Sequence, residues 1–302
     1  MTSSEYIKKK YFVYQNDLKY KKYRNLNPNY IIWQNDLKYL YDNVNFDSLE
    51  YRLHECEKNG MNYLDLNNMD MIKFPNIPKE FKDKIKYLFI AENDLSILPD
   101  LTDFKQLEIL DISNNNIEEI DELPHTLKEL SCRQNKLCYL PNKLPYIERI
   151  DCTFNKIIEI NSNYPNLKNL VCAYNSINII PNLENLEDLI CCHNVINYIY
   201  GCKKLKYLDC SYNKIIKLDK YDNLIDLICN NNGISDIICY NNLKYIELFN
   251  TNIQSIPFME NLIEMYCDKN LVKRISKKYI DTRNIDIKIY KDTIIHILFL
   301  KK

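Results

Sequence analysis

Residues 127–146, LKELSCRQNKLCYLPNKLPY, and residues 147–166, IERIDCTFNKIIEINSNYPN, align without a gap. Both follow the frame L-x-x-L-x-(C/L/I)-x-x-N-x-(I/L)-x-x-(I/L), often with a proline after it. The frame begins at Met61, Ile85, Leu107, Leu127, Ile147, Leu167, Leu186, Leu205, Leu224, Leu243 and Leu262, giving eleven copies. The steps between starts are 24, 22, 20, 20 and 20 residues and then a constant 19. A fixed period of this size marks stacked coils, each too small to bury its own apolar face. In L-x-x-L-x-C the last two apolar positions lie two apart, so they share one face of a strand while the intervening residues point the other way. The chain must then turn, and an asparagine there can serve backbone groups that would otherwise be buried without partners. That slot holds Asn93, Asn115, Asn135, Asn155, Asn175, Asn194, Asn213, Asn232 and Asn270, with Met69 and Thr251 as exceptions. Nineteen or twenty residues leave no room for a helix after a strand and two turns. The outer side is therefore expected to be extended or tightly turned, which suits Pro99, Pro141, Pro181 and Pro257.

This frame resembles the leucine-rich repeat family over residues 61 to about 275. The resemblance implies an α/β-class solenoid with a parallel concave β-sheet, an extended or turned convex side and little helix. The short copies look most like the compact repeats of certain bacterial secreted effectors. The composition, with 3 glycines in 302 residues and an excess of Asn, Ile, Lys and Tyr, is similar to that of leucine-rich-repeat proteins of giant viruses of amoebae. For function, the resemblance implies protein interaction in general.

Three segments follow: 1–60 as an N-terminal tail and helical cap, 61–275 as the repeats, and 276–302 as a C-terminal β-like cap. Asp47 followed by Glu50 reads as a capping box and Asn59-Gly60 as a stop, predicting a helix over 48–58. A second helix is expected over 31–41, and QNDLKY occurs twice, at 15–20 and 34–39. Ile285, Ile287 and Ile289 alternate with charged residues, as in a strand closing the open sheet edge.

The formal charge of −1 hides a division, with +2 over 1–60, −9 over 61–270 and +6 over 271–302. The lysine-rich start carries no secretory apolar stretch, and the longest apolar run, Ile294–Leu300, is too short to span a bilayer. A cytoplasmic protein, in the host cytoplasm if viral, is expected. Twelve cysteines then point to reduced thiols. Cys132, Cys152, Cys172, Cys191, Cys210, Cys229 and Cys267 share the third apolar slot and are expected to form a buried column, and Cys202 fills an outer packing slot. Cys191-Cys192-His193 has ligand and nucleophile residue types, but its first two members face opposite sides, so neither metal nor thiol catalysis is expected there. Cys192 reads as an exposed, modifiable thiol. The recurring carboxylates Asp111, Glu129, Asp151, Asp188, Asp209, Asp226 and Glu247 read as a solvated acidic surface. Without a glycine-rich phosphate loop, the chain is expected to be no enzyme and to need no cofactor.

The outward strand positions locate function. One column supplies Val171, Ile190 and Ile228. The column before the Asn slot supplies Phe154, Tyr174, His193 and Tyr212, and the opposite flank Tyr207 and Tyr245, with Phe249 extending the patch. An apolar surface rimmed by charge marks an interaction site, although aromatic cross-strand neighbours can also simply stabilise a sheet. The expected function is a non-catalytic scaffold binding a basic and apolar protein partner through the concave face, with no membrane or small-molecule substrate. Two alternatives stay open: a ubiquitin-ligase-type adaptor using residues 1–60, and nucleic-acid association through the tail, which carries +5 over 1–29.

Overall fold

The computed structural model describes residues 48–272 and 286–289. The expected helix 31–41, the QNDLKY pair and the Ile294–Leu300 run lie outside these residues. Within them the chain winds as a solenoid with a parallel concave sheet and little helix. Helix α1 (Leu49–Lys58) precedes β1 (Tyr63–Asp65). One further turn, α2 (Lys79–Lys82), occupies the extra length of the 24-residue first copy and buries Phe81. The sheet continues through β2 (Tyr87–Phe89), β3 (Ile109–Asp111), β4 (Glu129–Ser131), β5 (Arg149–Asp151) and β6 (Asn169–Val171). Then follow β8 (Asp188–Ile190), β10 (Tyr207–Asp209), β11 (Asp226–Ile228), β12 (Tyr245–Leu248) and β13 (Glu264–Cys267). Two short strands, β7 (Ile179–Ile180) and β9 (Tyr198–Ile199), pair separately on the outer side. After α3 (Lys269–Val272), strand β14 (Asp286–Ile289) pairs in parallel with β13 at the far edge.

Register is unbroken: the central residues Leu64, Leu88, Leu110, Leu130, Ile150, Leu170, Leu189, Leu208, Leu227, Ile246 and Met265 stand opposite one another and are all buried. The seven cysteines of the third slot are fully buried beneath them, and burial drives their thiols well above the ordinary range. A small side chain at this depth lets narrow coils approach. On the outer side Tyr164, Tyr221 and Tyr240 are buried whole, and their hydroxyls donate to Pro141 O, Ile199 O and Asp219 O. Cys202 fills the same layer. At Gly201 the backbone has φ +60°, and a Cβ would lie 2.1 Å from Asn182 Oδ1, so any side chain would displace the Asn182 amide that accepts from Cys202 N.

The asparagine slot carries more than a turn. Asn194 Nδ2 donates to Cys191 O and Cys192 O in its own coil and to Cys172 O in the preceding one, while its Oδ1 accepts from Ile177 N. Asn93, Asn115, Asn135, Asn155, Asn175, Asn213 and Asn232 repeat this pattern, each bonded to two coils. Met69 supplies no amide, and the Leu66 carbonyl of its coil is served by Asn93 Nδ2 from the next. Asn270 departs from the expectation: it lies exposed in α3, where the chain leaves the repeat path. A second ladder, not anticipated from the sequence, uses the residue before five of the repeat starts. Asn166, Asn185, Asn223, Asn242 and Asn261 each donate to a carbonyl of the preceding coil.

Two further regularities emerge. Lys86, Glu108, Lys128, Glu148, Lys168, Glu187 and Lys206 alternate along one rim in consecutive coils, with pairs between 2.6 and 3.9 Å. Such half-exposed pairs contribute about 0–1 kcal/mol each, so they fix neighbour order more than stability. At the first coil the helix cap is Ser48, whose Oγ accepts from Tyr51 N at 3.2 Å, in place of the expected capping box at Asp47. Gly60 at φ +77° ends α1, and Arg52 Nη2 reaches Asn67 O at 3.3 Å on the first coil.

The ladder predicts unequal effects of identical changes. Asn194→Ala leaves Ile177 N without its acceptor and takes one of two donors from each of Cys172 O, Cys191 O and Cys192 O, so it should cost about 1–3 kcal/mol in denaturant unfolding. Asn270→Ala should stay within about 0.5 kcal/mol of the parent chain. Equal shifts of the two midpoints would show that the ladder does not hold the coils.

Candidate interaction surface

Immediately before the Asn slot the backbone takes a left-handed turn in ten consecutive copies. Asn68, Glu92, Asn114, Gln134, Phe154, Tyr174, His193, Tyr212, Asn231 and Asn250 all have φ between 50° and 60°. The geometry is imposed from both sides. Each N–H still reaches the next coil, as in Phe154 N to Ala173 O and Tyr174 N to Cys192 O, and the following residue must deliver its side chain inward. Left-handed backbone costs an L-residue roughly 1–2 kcal/mol, and asparagine tolerates it best. Four copies use asparagine here. Copies five to eight use Phe154, Tyr174, His193 and Tyr212 instead.

Those four rings form one continuous stack. Centroids are 4.3 Å apart for Phe154–Tyr174, 4.2 Å for Tyr174–His193 and 4.2 Å for His193–Tyr212, with interplanar angles of 16°, 10° and 11°. Phe154 is 39% exposed and the other three are half-buried. Burial raises the hydroxyl pKa of Tyr174 and of Tyr212 above the ordinary phenol value. Ring faces are spent on one another, so the stack presents its edges.

The rest of the expected patch is less continuous. Val171 is half-buried beside the stack, but Ile190 is only 7% exposed and does not face water as expected. It stands in register between Val171 and Asp209, and on a concave sheet such neighbours close over one another. Asp209 separates Ile190 from Ile228, and Tyr207 stands between Asp188 and Asp226. Tyr245 belongs to a second cluster near the last coils, where it packs 5.4 Å from Tyr266 and its hydroxyl donates to Glu247, and Phe249 is half-buried in the same coil. The sequence therefore located the four-ring column correctly and overstated how far apolar surface extends from it.

The acids also differ from the solvated surface expected. Asp209 and Glu247 are each 6% exposed. Asp111, Asp151 and Asp209 accept both the backbone N–H and the hydroxyl of the residue two ahead: Ser113, Thr153 and Ser211. They tie off the end of each strand, an Asx pattern visible as D-x-(S/T) but unread in the sequence. Burial raises the Asp151 carboxyl pKa although Arg133 Nε lies 3.6 Å away. Asp188 accepts from Asn169 Nδ2 at 2.6 Å. The face remains acidic, yet most of its carboxylates are held.

Cys192 is likewise corrected. It is half-buried, and burial followed by the Asp209 charge pushes its thiol far above the ordinary range. Among the described residues no group of three or more His, Cys, Asp or Glu side chains is placed to hold a metal ion. None of the described helices is long and apolar enough to cross a membrane.

A family model described as Leucine Rich repeats (2 copies) matches residues 83–125. The chain is 35% identical over 98 residues to Toll-like receptor 2 of Boselaphus tragocamelus, covering 30% of this chain and 12% of that receptor. The structure of YopM, a leucine-rich effector protein from Yersinia pestis, superposes with a TM-score of 0.64 at 23% identity, over 73% of this chain and 72% of that one. The functional domain of InlJ from Listeria monocytogenes, which includes a cysteine ladder, gives a TM-score of 0.55 at 22% identity, over 69% of this chain and 54% of that one. These likenesses establish the leucine-rich-repeat fold.

Thiol access follows from the packing. All 12 cysteines are free, and only Cys138 and Cys239 are exposed. An aromatic disulfide reagent at neutral pH should modify two thiols quickly in the folded protein and the remainder only on unfolding. Rapid modification of Cys192 in the native state would contradict its placement here.

Proposed function

We propose that this leucine-rich-repeat solenoid is a non-catalytic scaffold that binds a protein partner on its concave face. Docking centres on Phe154, Val171, Tyr174, His193 and Tyr212. Ile190 flanks Val171 in the next strand, Ile228 and Tyr207 lie beside the site, and Tyr245 with Phe249 forms a second contact. The carrying observation is the backbone under the rings. Four ring-bearing residues occupy consecutive left-handed positions where four of the other six coils place asparagine and two place Glu92 and Gln134. Strain at roughly 1–2 kcal/mol per residue is comparable to the roughly 0.5–1.5 kcal/mol each stacked pair returns beyond its burial. The fold thus gains little from the rings, and strain that the fold does not need points to use.

The partner's chemistry follows from the surroundings. Aromatic edges and Val171 suit an apolar segment, and Asp151, Asp188 and Asp226 favour basic residues beside it. The same acids disfavour phosphate, which argues against nucleic acid on this face. A preformed sheet lowers the ordering cost of association. Buried free thiols suit a reducing compartment such as the cytoplasm.

Replacing rings by the residue neighbouring coils use separates binding from folding. The triple variant Phe154→Asn, Tyr174→Asn, Tyr212→Asn should unfold within about 1 kcal/mol of the parent chain, since strain and stacking are removed together. In affinity capture from cell extract it should lose the protein that the parent chain retains. Retained capture combined with a marked loss of stability would make the stack a structural device and refute the docking role.

A further inference from the structure

The outer side carries a second pattern, independent of the concave face. In the third coil Glu118, Glu119, Asp121 and Glu122 are all exposed, and no ion pair is formed by them among the described residues. In the eighth coil the matching positions hold Ile216, Lys217, Asp219 and Lys220. Between these ends lies an apolar strip: Tyr139 at 56% exposure, Ile158 at 44%, Ile179 at 39% and Tyr200 at 49%, with Ile216 at 68% at its margin. Strands β7 and β9 form a flat two-stranded platform within it. A monomer gains nothing from exposing such a row, which only Glu159 interrupts with a charge, and at the matching positions lysine occurs in coil eight alone.

We infer that this outer surface joins two copies of the chain in an antiparallel dimer. Consider a two-fold axis lying in the contact plane, perpendicular to the solenoid and passing between the fifth and sixth coils. It exchanges coil three with eight and coil four with seven, and it leaves the position within each coil unchanged. Counted from the asparagine of each coil, Glu119 and Lys217 are both fourth, and Glu122 and Lys220 are both seventh. Each glutamate of one copy therefore meets a lysine of the other, at both ends of the contact. Tyr139 and Tyr198 are likewise both fourth, so two tyrosine pairs flank the centre, and nearest the axis Ile158 meets Asn178 and Ile179 meets Glu159. Three meetings are unfavourable, Glu118 against Ile216, Glu159 against Ile179 and Asp121 against Asp219, and Asp219 is already occupied by the Tyr198 hydroxyl. Lys220 holds Asp222 at 2.8 Å, but both side chains are more than half exposed, so that pair is readily exchanged.

A partner of another kind would need the same spacing of acid, apolar and basic elements in reverse order. The chain itself supplies that. Six coils at about 4.8 Å and five residues at about 3.3 Å give a flat footprint on the order of 500 Å² per copy. That size places the pair at the weak, reversible end of specific interfaces, with the charges deciding orientation. The concave face stays open in such a dimer, so the scaffold role and the dimer stand or fall separately.

Sedimentation velocity of the full chain over a range of concentrations and salt tests this. Concentration-dependent dimer, weakened by salt, is expected. Glu119→Lys with Glu122→Lys should weaken self-association roughly tenfold or more, and Lys217→Glu with Lys220→Glu should do the same. Mixing the two double variants should restore a dimer containing one of each, because both ends are then complementary. Carrying all four changes in one chain should restore self-association. The melting curves of these surface variants should match the parent chain. A chain that stays monomeric at low salt, or single-sided variants that associate like the parent, or a mixture that fails to pair, would overturn the inference.

Discussion

A carboxamide whose two N–H groups are shared among three carbonyls and whose oxygen accepts a backbone N–H is the constraint on which the coils depend. Each coil must leave its strand and turn within a few residues, which leaves carbonyls facing into a dry interior. A buried, unpaired backbone group costs about 1–3 kcal/mol, and a coil would otherwise carry a carbonyl such as Cys172 O and an amide such as Ile177 N without these partners. Asn115, Asn155, Asn194 and their counterparts satisfy those groups in two coils at once. Because each amide needs the neighbouring coil for its third bond, the ladder couples folding of one coil to the next. The left-handed residue before the asparagine is the geometric consequence, since that turn brings the carboxamide inward while the N–H stays bonded outward.

This coupling explains where the chain is free to vary. Positions under the ladder accept only small or aliphatic side chains, hence the thiol column. Strand ends accept D-x-(S/T), which secures one more N–H locally. The left-handed position is held in place by its neighbours on both sides, so it tolerates residues that would not choose that backbone. The aromatic stack occupies the one slot where the fold enforces a conformation without dictating a side chain.

The same separation makes the two faces independent. Concave side chains are set by strand alternation, and outer ones by the turns after the asparagine. Neither set touches the other across the buried layer of Leu, Ile and Cys. A docking face and a self-association face can therefore coexist on one narrow solenoid, each altered without disturbing the other.

Sequence alone determined the repeat register, the parallel stacking, the buried cysteine column and the adjacency of Phe154, Tyr174, His193 and Tyr212, because all of these follow from period and alternation. Periodicity states which positions align; it does not state how deeply they sit. Only tertiary structure decided that Ile190 is covered, that Asp209 and Glu247 are buried and bonded, that Cys192 is shielded, and that Asn270 leaves the ladder. Each of those outcomes turns on the close approach of side chains across adjacent coils of a concave sheet, a distance that no one-dimensional pattern contains.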